Sequence, residues 1–232
     1  MISGFVVEAN DIWFYVTAGH VVGRLHEAMN AGVTFDAWRL DDQTAGGGYQ
    51  HPIPYDFDID RWSVLRDDKI GIDYAITPLV GLICEGLRAG GVIPIDREAW
   101  EAIPIAECEH LFLVGVAHET VHSPRFGIIT AKVSLIPLKV TSPPRQAGDT
   151  EQNMFFAQLI MDSEQPGSRI NDIGGMSGGP IFGAKKLGDE TKYWAVGVQS
   201  GWYSDSKIIA ACPISSFMEA LEVAIKGMVE PK

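Results

Sequence analysis

The 232-residue sequence predicts an all-β protein, its short strands arranged as sandwich or barrel sheets and followed by a C-terminal helix. Three observations predict it. Short apolar runs rich in aromatic and β-branched side chains recur along the chain between turn residues. The 25 glycines and 13 prolines supply frequent punctuation, which favours short strands over long helices. Only the last segment carries clear helical periodicity.

The elements follow in order. Gly4-Phe5-Val6-Val7 and Ile12-Trp13-Phe14-Tyr15-Val16 flank the polar Glu8-Ala9-Asn10-Asp11, which is the pattern of a hairpin. A short helix is expected over 21–29, a strand over 34–40, and a loop over 41–49 with its three consecutive glycines. The acidic stretch 36–73 reads as a solvated face, with strands at 62–65 and 72–79. A turn at 88–91 and the segment 94–104 read as the connection between two halves. Strand-like runs then recur at 111–116, 127–136, 155–161, 180–182, 194–198 and 208–212, with a linker at 142–149. In the last segment Ser216 and Glu219 have capping-box spacing, and Phe217, Leu221, Ala224 and Ile225 share a face.

Composition removes several function classes. The chain is 46% apolar and 21% charged, the balance of an ordinary globular protein. Its longest apolar stretch, 111–117, is far short of the roughly 18 residues a membrane span needs. No basic region followed by an apolar core opens the sequence, so a signal peptide is not expected. The net charge of −12 comes from 18 basic against 30 acidic residues, with no Lys/Arg cluster to displace phosphate counterions, so nucleic acid is excluded as a partner. The acidity reads as a solubilising surface, with attraction of basic partners as the other reading. Cys84, Cys108 and Cys212 are odd in number and widely spaced; this suits a reducing, cytoplasmic compartment without disulfides or a metal framework.

Three motifs carry chemistry. The first is Thr17-Ala18-Gly19-His20, a strand ending in small residues and a histidine. The second is Asp73-Tyr74-Ala75-Ile76, an aspartate leading an apolar strand. The third is Gly174-Gly175-Met176-Ser177-Gly178-Gly179-Pro180, a serine among glycines entering another strand. A serine hydroxyl needs a base to take its proton as it attacks a carbonyl. Histidine does so near neutral pH, and a buried aspartate fixes its tautomer and stabilises the imidazolium. Glycines ahead of the serine let backbone N–H groups converge where an oxyanion develops.

Together, in this order, the motifs resemble those of the chymotrypsin-like (trypsin-like) serine peptidases. Gly127-Ile128-Ile129-Thr130-Ala131 and Gly197-Val198-Gln199-Ser200-Gly201 add weaker echoes. The resemblance implies two six-stranded antiparallel β-barrels with a C-terminal helix. The first barrel, 1–95, would carry His20 and Asp73; the second, 96–212, would carry Ser177; the helix and tail would occupy 213–232. It further implies that His20 is general base and then acid, that Asp73 orients it, and that Ser177 attacks the peptide carbonyl through an acyl-enzyme. The backbone N–H groups of Gly175 and Ser177 would form the oxyanion hole, and Ser200-Gly201 would pair with the substrate main chain. Asp60, Asp67 and Asp68 are the substitutes for Asp73. No cofactor or metal is implied, and the partner is a protein or peptide substrate. A protease without a visible propeptide must be restrained by its specificity or by a regulatory partner, which the sequence does not name.

The sequence departs from that family in ways that set further expectations. Met176 stands where many members place an aspartate that pairs with a newly cut N-terminus, so activation by that route is not expected. His20 lacks a flanking cysteine pair, consistent with a cytosolic, disulfide-free branch. A strand that the family places earlier is expected to be missing, donated or outside this sequence. Asn171 stands where trypsin-type members carry an aspartate, so no strong preference for Lys or Arg before the scissile bond is expected, although Asp172 beside it moderates this. Trp202 either projects over the pocket mouth and favours small or medium side chains, or packs in a turn.

Two alternatives stay open at this level. One is a catalytically silent double barrel that binds peptides in its cleft. The other is a zinc metalloprotease built on His118-Glu119-Thr120-Val121-His122, a literal H-E-x-x-H. That chemistry requires both histidines on one helix face, whereas a strand and Gly115 precede the motif and Pro124 follows it.

Overall fold

The computed structural model describes residues 1–35, 37–40, 53–67, 69–100, 103–122, 131–147, 154–160 and 170–229. Strand β1 (Phe5–Ala9) pairs antiparallel with β2 (Ile12–Thr17), and Ala9 faces Ile12 across a two-residue turn. Asn10 and Asp11 both take left-handed backbone, φ 50° and 62°, which lets so short a turn follow the strand twist. The expected hairpin is therefore present, with the turn confined to these two residues.

Helix α1 (Gly19–Asn30) follows, longer at both ends than expected. The strand expected over 34–40 is reduced to β3 (Arg39–Leu40), paired with β4 (Ile53–Pro54). The loop expected over 41–49 lies outside the described residues. Strands β5 (Ser63–Asp67) and β6 (Ile72–Leu79) complete a four-stranded sheet in the order β1-β2-β6-β5. Central β6 is buried along most of its length, and edge strand β5 is exposed throughout.

Of the two expected six-stranded barrels, the first is not seen closed: among the described residues this sheet has four strands and is open. Its two faces are covered by other elements. Helix α2 (Leu82–Ala89), not predicted from the sequence, packs Cys84 and Leu87 with Trp13 and Leu79 on one face. On the opposite face Phe5, Val7, Phe14, Val16, Tyr74 and Ile76 join residues of the second half in one core. The β1 edge is met by Ile95, whose N–H donates to Val6 O (2.8 Å) and whose carbonyl accepts from Glu8 N–H (2.9 Å). Helix α2 escapes a pattern reading because it has only eight residues, begins after Gly81 and contains Gly86. A single turn, α3 (Arg97–Trp100), lies within the expected connection and buries Trp100.

The second half closes a six-stranded barrel from β7 (His110–Val116), β8 (Val133–Thr141), β9 (Phe155–Leu159), β10 (Pro180–Leu187), β11 (Glu190–Tyr203) and β12 (Ile208–Pro213). Its order is β10-β11-β12-β9-β8-β7, and β10 pairs with β7 to close it. Alternate residues such as Leu111, Leu113, Ile136, Leu138, Ile181 and Ile209 fill the interior. Residues 127–130, expected to open this half, and 148–149 of the linker lie outside the described residues.

Helix α4 (Ser215–Val229) places Phe217, Met218 and Ile225 in the core formed by the first sheet with Val198, Cys212 and Ile214. The expectations at Ser216 and Ala224 fall outside the described side chains. Tyr74 Oη donates to Pro213 O, and Cys212 Sγ donates to Gly71 O at 3.4 Å, so strand β6 is stitched directly to β12. Among the described residues, no helix is long and apolar enough to cross a membrane.

Candidate active site

His20 and Asp73 meet because β2 and β6 are neighbours in register, with Thr17 opposite Ala75. Helix α1 starts just past the end of β2, so the His20 backbone N–H is one of the donors its first turn cannot satisfy internally. Asp73 Oδ1 accepts it at 2.7 Å. Gly19 allows this approach, since a Cβ there would lie 2.9 Å from both Asp73 Oδ1 and Tyr74 O. Asp73 Oδ2 then meets His20 Nδ1 at 2.6 Å, with side-chain exposures of 7% and 13%. A carboxylate only accepts, so Nδ1 carries the proton and Nε2 is left as the basic nitrogen.

A third group shares this carboxylate. Ser200 Oγ donates to Asp73 Oδ2. The pairing of β11 with β12 slips between Gln199 and Gly201, opposite Ala211 and Ala210. Ser200 is therefore the extra residue of a bulge, a device that re-aims one side chain out of the strand's alternation. Burial alone would push the Asp73 carboxyl up; hydrogen bonds from His20 and Ser200, with the attraction of the His20 ring and the His20 backbone N–H, outweigh it and hold the carboxyl below its ordinary value. His20, Asp73 and Ser200 thus form a network that resembles a catalytic triad and supports a serine-protease mechanism. The hydroxyl in it that bonds Asp73 lies on the carboxylate, not on His20 Nε2.

Ser177 occupies the turn that leads into β10. Its neighbour Gly178, at φ +90°, is pressed against the end of β2: a Cβ there would lie 2.0 Å from Thr17 Oγ1 and 2.8 Å from Ala18 N. The same turn is fastened to β11, because Gly178 N–H donates to Gln199 O (2.8 Å) and Gln199 N–H to Gly179 O (2.9 Å). Ser177 therefore sits between the His20 strand and the Ser200 strand. Among the described residues neither the Gly175 nor the Ser177 N–H donates to a protein acceptor. Met176 between them is fully buried in the barrel core.

The expected specificity residues lie at the other end of this segment. Asn171 is exposed; its N–H donates to Glu119 Oε1 (2.6 Å) and its carbonyl accepts from Lys207 Nζ (2.8 Å). Trp202 Nε1 donates to Asp172 Oδ1 (3.0 Å), which also accepts from Gly174 N–H (2.9 Å). The Lys207 ammonium lies 5.5 Å from the Trp202 ring centroid. Trp202 is thus tied to this segment and packs against the barrel core. From Ser200 to Tyr203 strand β11 has β12 on one side and, among the described residues, no strand on the other. Lys207 gave no sequence signal, because only the fold brings it against Asn171.

The other aspartates have separate tasks. Asp58, not Asp73, accepts from Asp60 N–H, and Asp67 accepts from Lys69 N–H; Asp68 lies outside the described residues. The H-E-x-x-H motif does not form a helix. His118–Thr120 is one 3-10 turn and Val121 is extended, so His118 and His122 do not share a helix face. Among the described residues no group of three or more His, Cys, Asp and Glu is arranged to hold a metal ion. All three cysteines are free thiols, and burial pushes those of Cys84 and Cys108 up, away from nucleophilic thiolate.

No family model and no curated protein matches the sequence. Solved structures resemble the fold at low identity. A thermostable serine protease from an extremophilic microorganism is 15% identical, with a TM-score of 0.44, over 99% of this chain and 91% of that one. The NS6 protease of murine norovirus, in a chimeric inactive form, is 13% identical with a TM-score of 0.40, over 90% of this chain and 91% of that one. An inactive form of a serine-to-alanine mutant protein from M. tuberculosis is 16% identical with a TM-score of 0.39, over 99% and 89%.

Proposed function

We propose that the protein is a serine endopeptidase in which Ser177 is the nucleophile, His20 the general base and acid, and Asp73 the residue that orients His20. The observation that carries this reading is the Asp73–His20 Nδ1 contact of 2.6 Å, which turns a basic Nε2 away from the carboxylate. Gly178 against Thr17 and Ala18 supports Ser177, rather than Ser200, as the hydroxyl that meets that nitrogen. Ser177 Oγ attacks the peptide carbonyl as His20 takes its proton. The Gly175 and Ser177 N–H groups, unclaimed by any described acceptor, receive the oxyanion. His20 then protonates the leaving amine, and water releases the acyl group from Ser177 by the same path in reverse.

The substrate is a peptide lying along the open side of 200–203. Beside that strand the Asn171 carbonyl is already bonded by Lys207, with the ammonium against Trp202. The Lys207 ammonium opposes a second cation there and so Lys or Arg before the scissile bond, an effect that the Asp172 carboxylate on Trp202 moderates. Trp202, held by Asp172, favours small or medium side chains.

Fluorophosphonate labelling with mapping of the modified peptide tests the reading. Ser177 is expected to carry the label, and Ser177→Ala to lose it along with about 10⁶-fold in kcat. Turnover retained by purified Ser177→Ala would overturn the assignment. A folded wild type that never labels would favour the peptide-binding alternative.

A further inference from the structure

The oxyanion N–H of Gly175 is aimed by groups outside the catalytic residues, and the geometry points to Ser3 and Glu119 as the positioning side chains. This rests on the serine-peptidase reading above. The Gly174–Gly175 peptide is planar and trans, so its carbonyl and its N–H point in opposite directions. His118 N–H donates to Gly174 O at 2.7 Å, which fixes that plane and leaves Gly175 N–H facing away from the His118 turn. On the far side of Gly175, its carbonyl accepts from Ser3 Oγ at 2.9 Å. Ser3 is 5% exposed and its hydroxyl oxygen also accepts from Val116 N–H at 3.0 Å, so the donor direction is locked to strand β7. Ser3 O accepts from Thr17 Oγ1 at 2.8 Å, tying the same brace to the His20 strand.

The His118 turn is itself held in two places. Thr120 Oγ1 donates its single proton to Ala117 O (2.8 Å), with Lys132 O also in reach (3.1 Å), and Glu119 Oε1 takes the Asn171 N–H (2.6 Å). The His118 ring lies over Gly175: a Cβ there would be 2.4 Å from Cδ2, and Gly175 needs φ +91°. Met176, buried and apolar, offers no charge of its own to anchor this loop. The literal H-E-x-x-H pattern therefore serves as a clamp on the oxyanion loop. Glu119 needs only a carbonyl-type acceptor for this, and no negative charge.

The prediction separates positioning from mere stability. Ser3→Ala, Glu119→Ala and Glu119→Gln are compared with wild type by kcat per titrated active site, KM, and affinity for a peptide boronic acid that forms a tetrahedral anion. Loss of one oxyanion donor outright costs about 10²–10³-fold in kcat. Loosening it through Ser3→Ala or Glu119→Ala is expected to cost about 10-fold or more, with boronate affinity falling in step and KM nearly unchanged. Glu119→Gln, which keeps the Oε1 acceptor, is expected to stay within about threefold of wild type. Unchanged kcat per site and boronate affinity in both alanine variants would overturn the inference, even if their melting temperatures fall. So would a Glu119→Gln enzyme as impaired as Glu119→Ala. Failure of the underlying reading shows separately, as a wild type whose Ser177 takes no fluorophosphonate.

Discussion

Ser200→Ala asks which serine does the chemistry. The substitution removes one hydrogen bond, from Ser200 Oγ to Asp73 Oδ2, and leaves both His20 contacts on that carboxylate in place. A hydrogen bond to a charged group contributes about 1.5–3 kcal/mol. Asp73 is 5% exposed, so little solvent screening discounts it. At about 1.36 kcal/mol per tenfold in rate, the loss is bounded between about 10-fold and 150-fold in kcat. That is about four to five orders of magnitude milder than the roughly 10⁶-fold expected for removing a nucleophile. Steady-state hydrolysis of a peptide substrate, with fluorophosphonate labelling of the same preparation, reads both quantities. Ser200→Ala is expected to be slow and still fully labelled at Ser177. If it loses labelling and activity as completely as Ser177→Ala, the assignment of roles to the two serines is wrong.

Three further outcomes are expected. Asp73→Asn should lower kcat by about 10⁴-fold with KM little changed, because an amide no longer enforces the Nδ1–H tautomer; a loss under tenfold would contradict the orienting role. The Asp73 carboxyl is held below its ordinary value, so its stabilising contribution is complete above about pH 4 and declines as pH falls through the lowered folded value. In melts at falling pH the stability gap between wild type and Asp73→Asn should therefore narrow, and a gap independent of pH would refute the linkage. Gly178→Ala should destabilise by more than about 2 kcal/mol, since left-handed backbone alone costs about 1–2 kcal/mol and the new Cβ would lie 2.6 Å from Ser3 O and 2.8 Å from Ala18 N. Gly188→Ala, with φ +66° and nothing within 4 Å, is the control that isolates the backbone cost.

The hairpin around Asn10-Asp11, the strand of Asp73 and the barrel strands of the second half were legible because burial on one or both faces leaves a local pattern of apolar residues. The first sheet, open among the described residues, was not. Its faces are covered by α2, by β11 and β12 and by α4, and covering from distant segments leaves no mark on the strands being covered. Ser200 shows the same limit within the site: a sequence places it on a strand, but its aim at Asp73 comes from a slip in register against β12.

Local sequence specifies the chemistry on offer: a histidine after small residues, an aspartate at the head of an apolar strand, and a serine among glycines whose backbone can turn. These are local features, fixed by residue type and its immediate neighbours. Which groups meet depends on the folded arrangement. It brings His20 and Asp73 together through strand pairing, adds Ser200 to the carboxylate through a bulge, sets Lys207 against Asn171, and bonds the turn of an apparent zinc motif to Gly174. Each depends on contacts between residues far apart in the chain, whose distances are set by packing and hydrogen bonding across the whole fold.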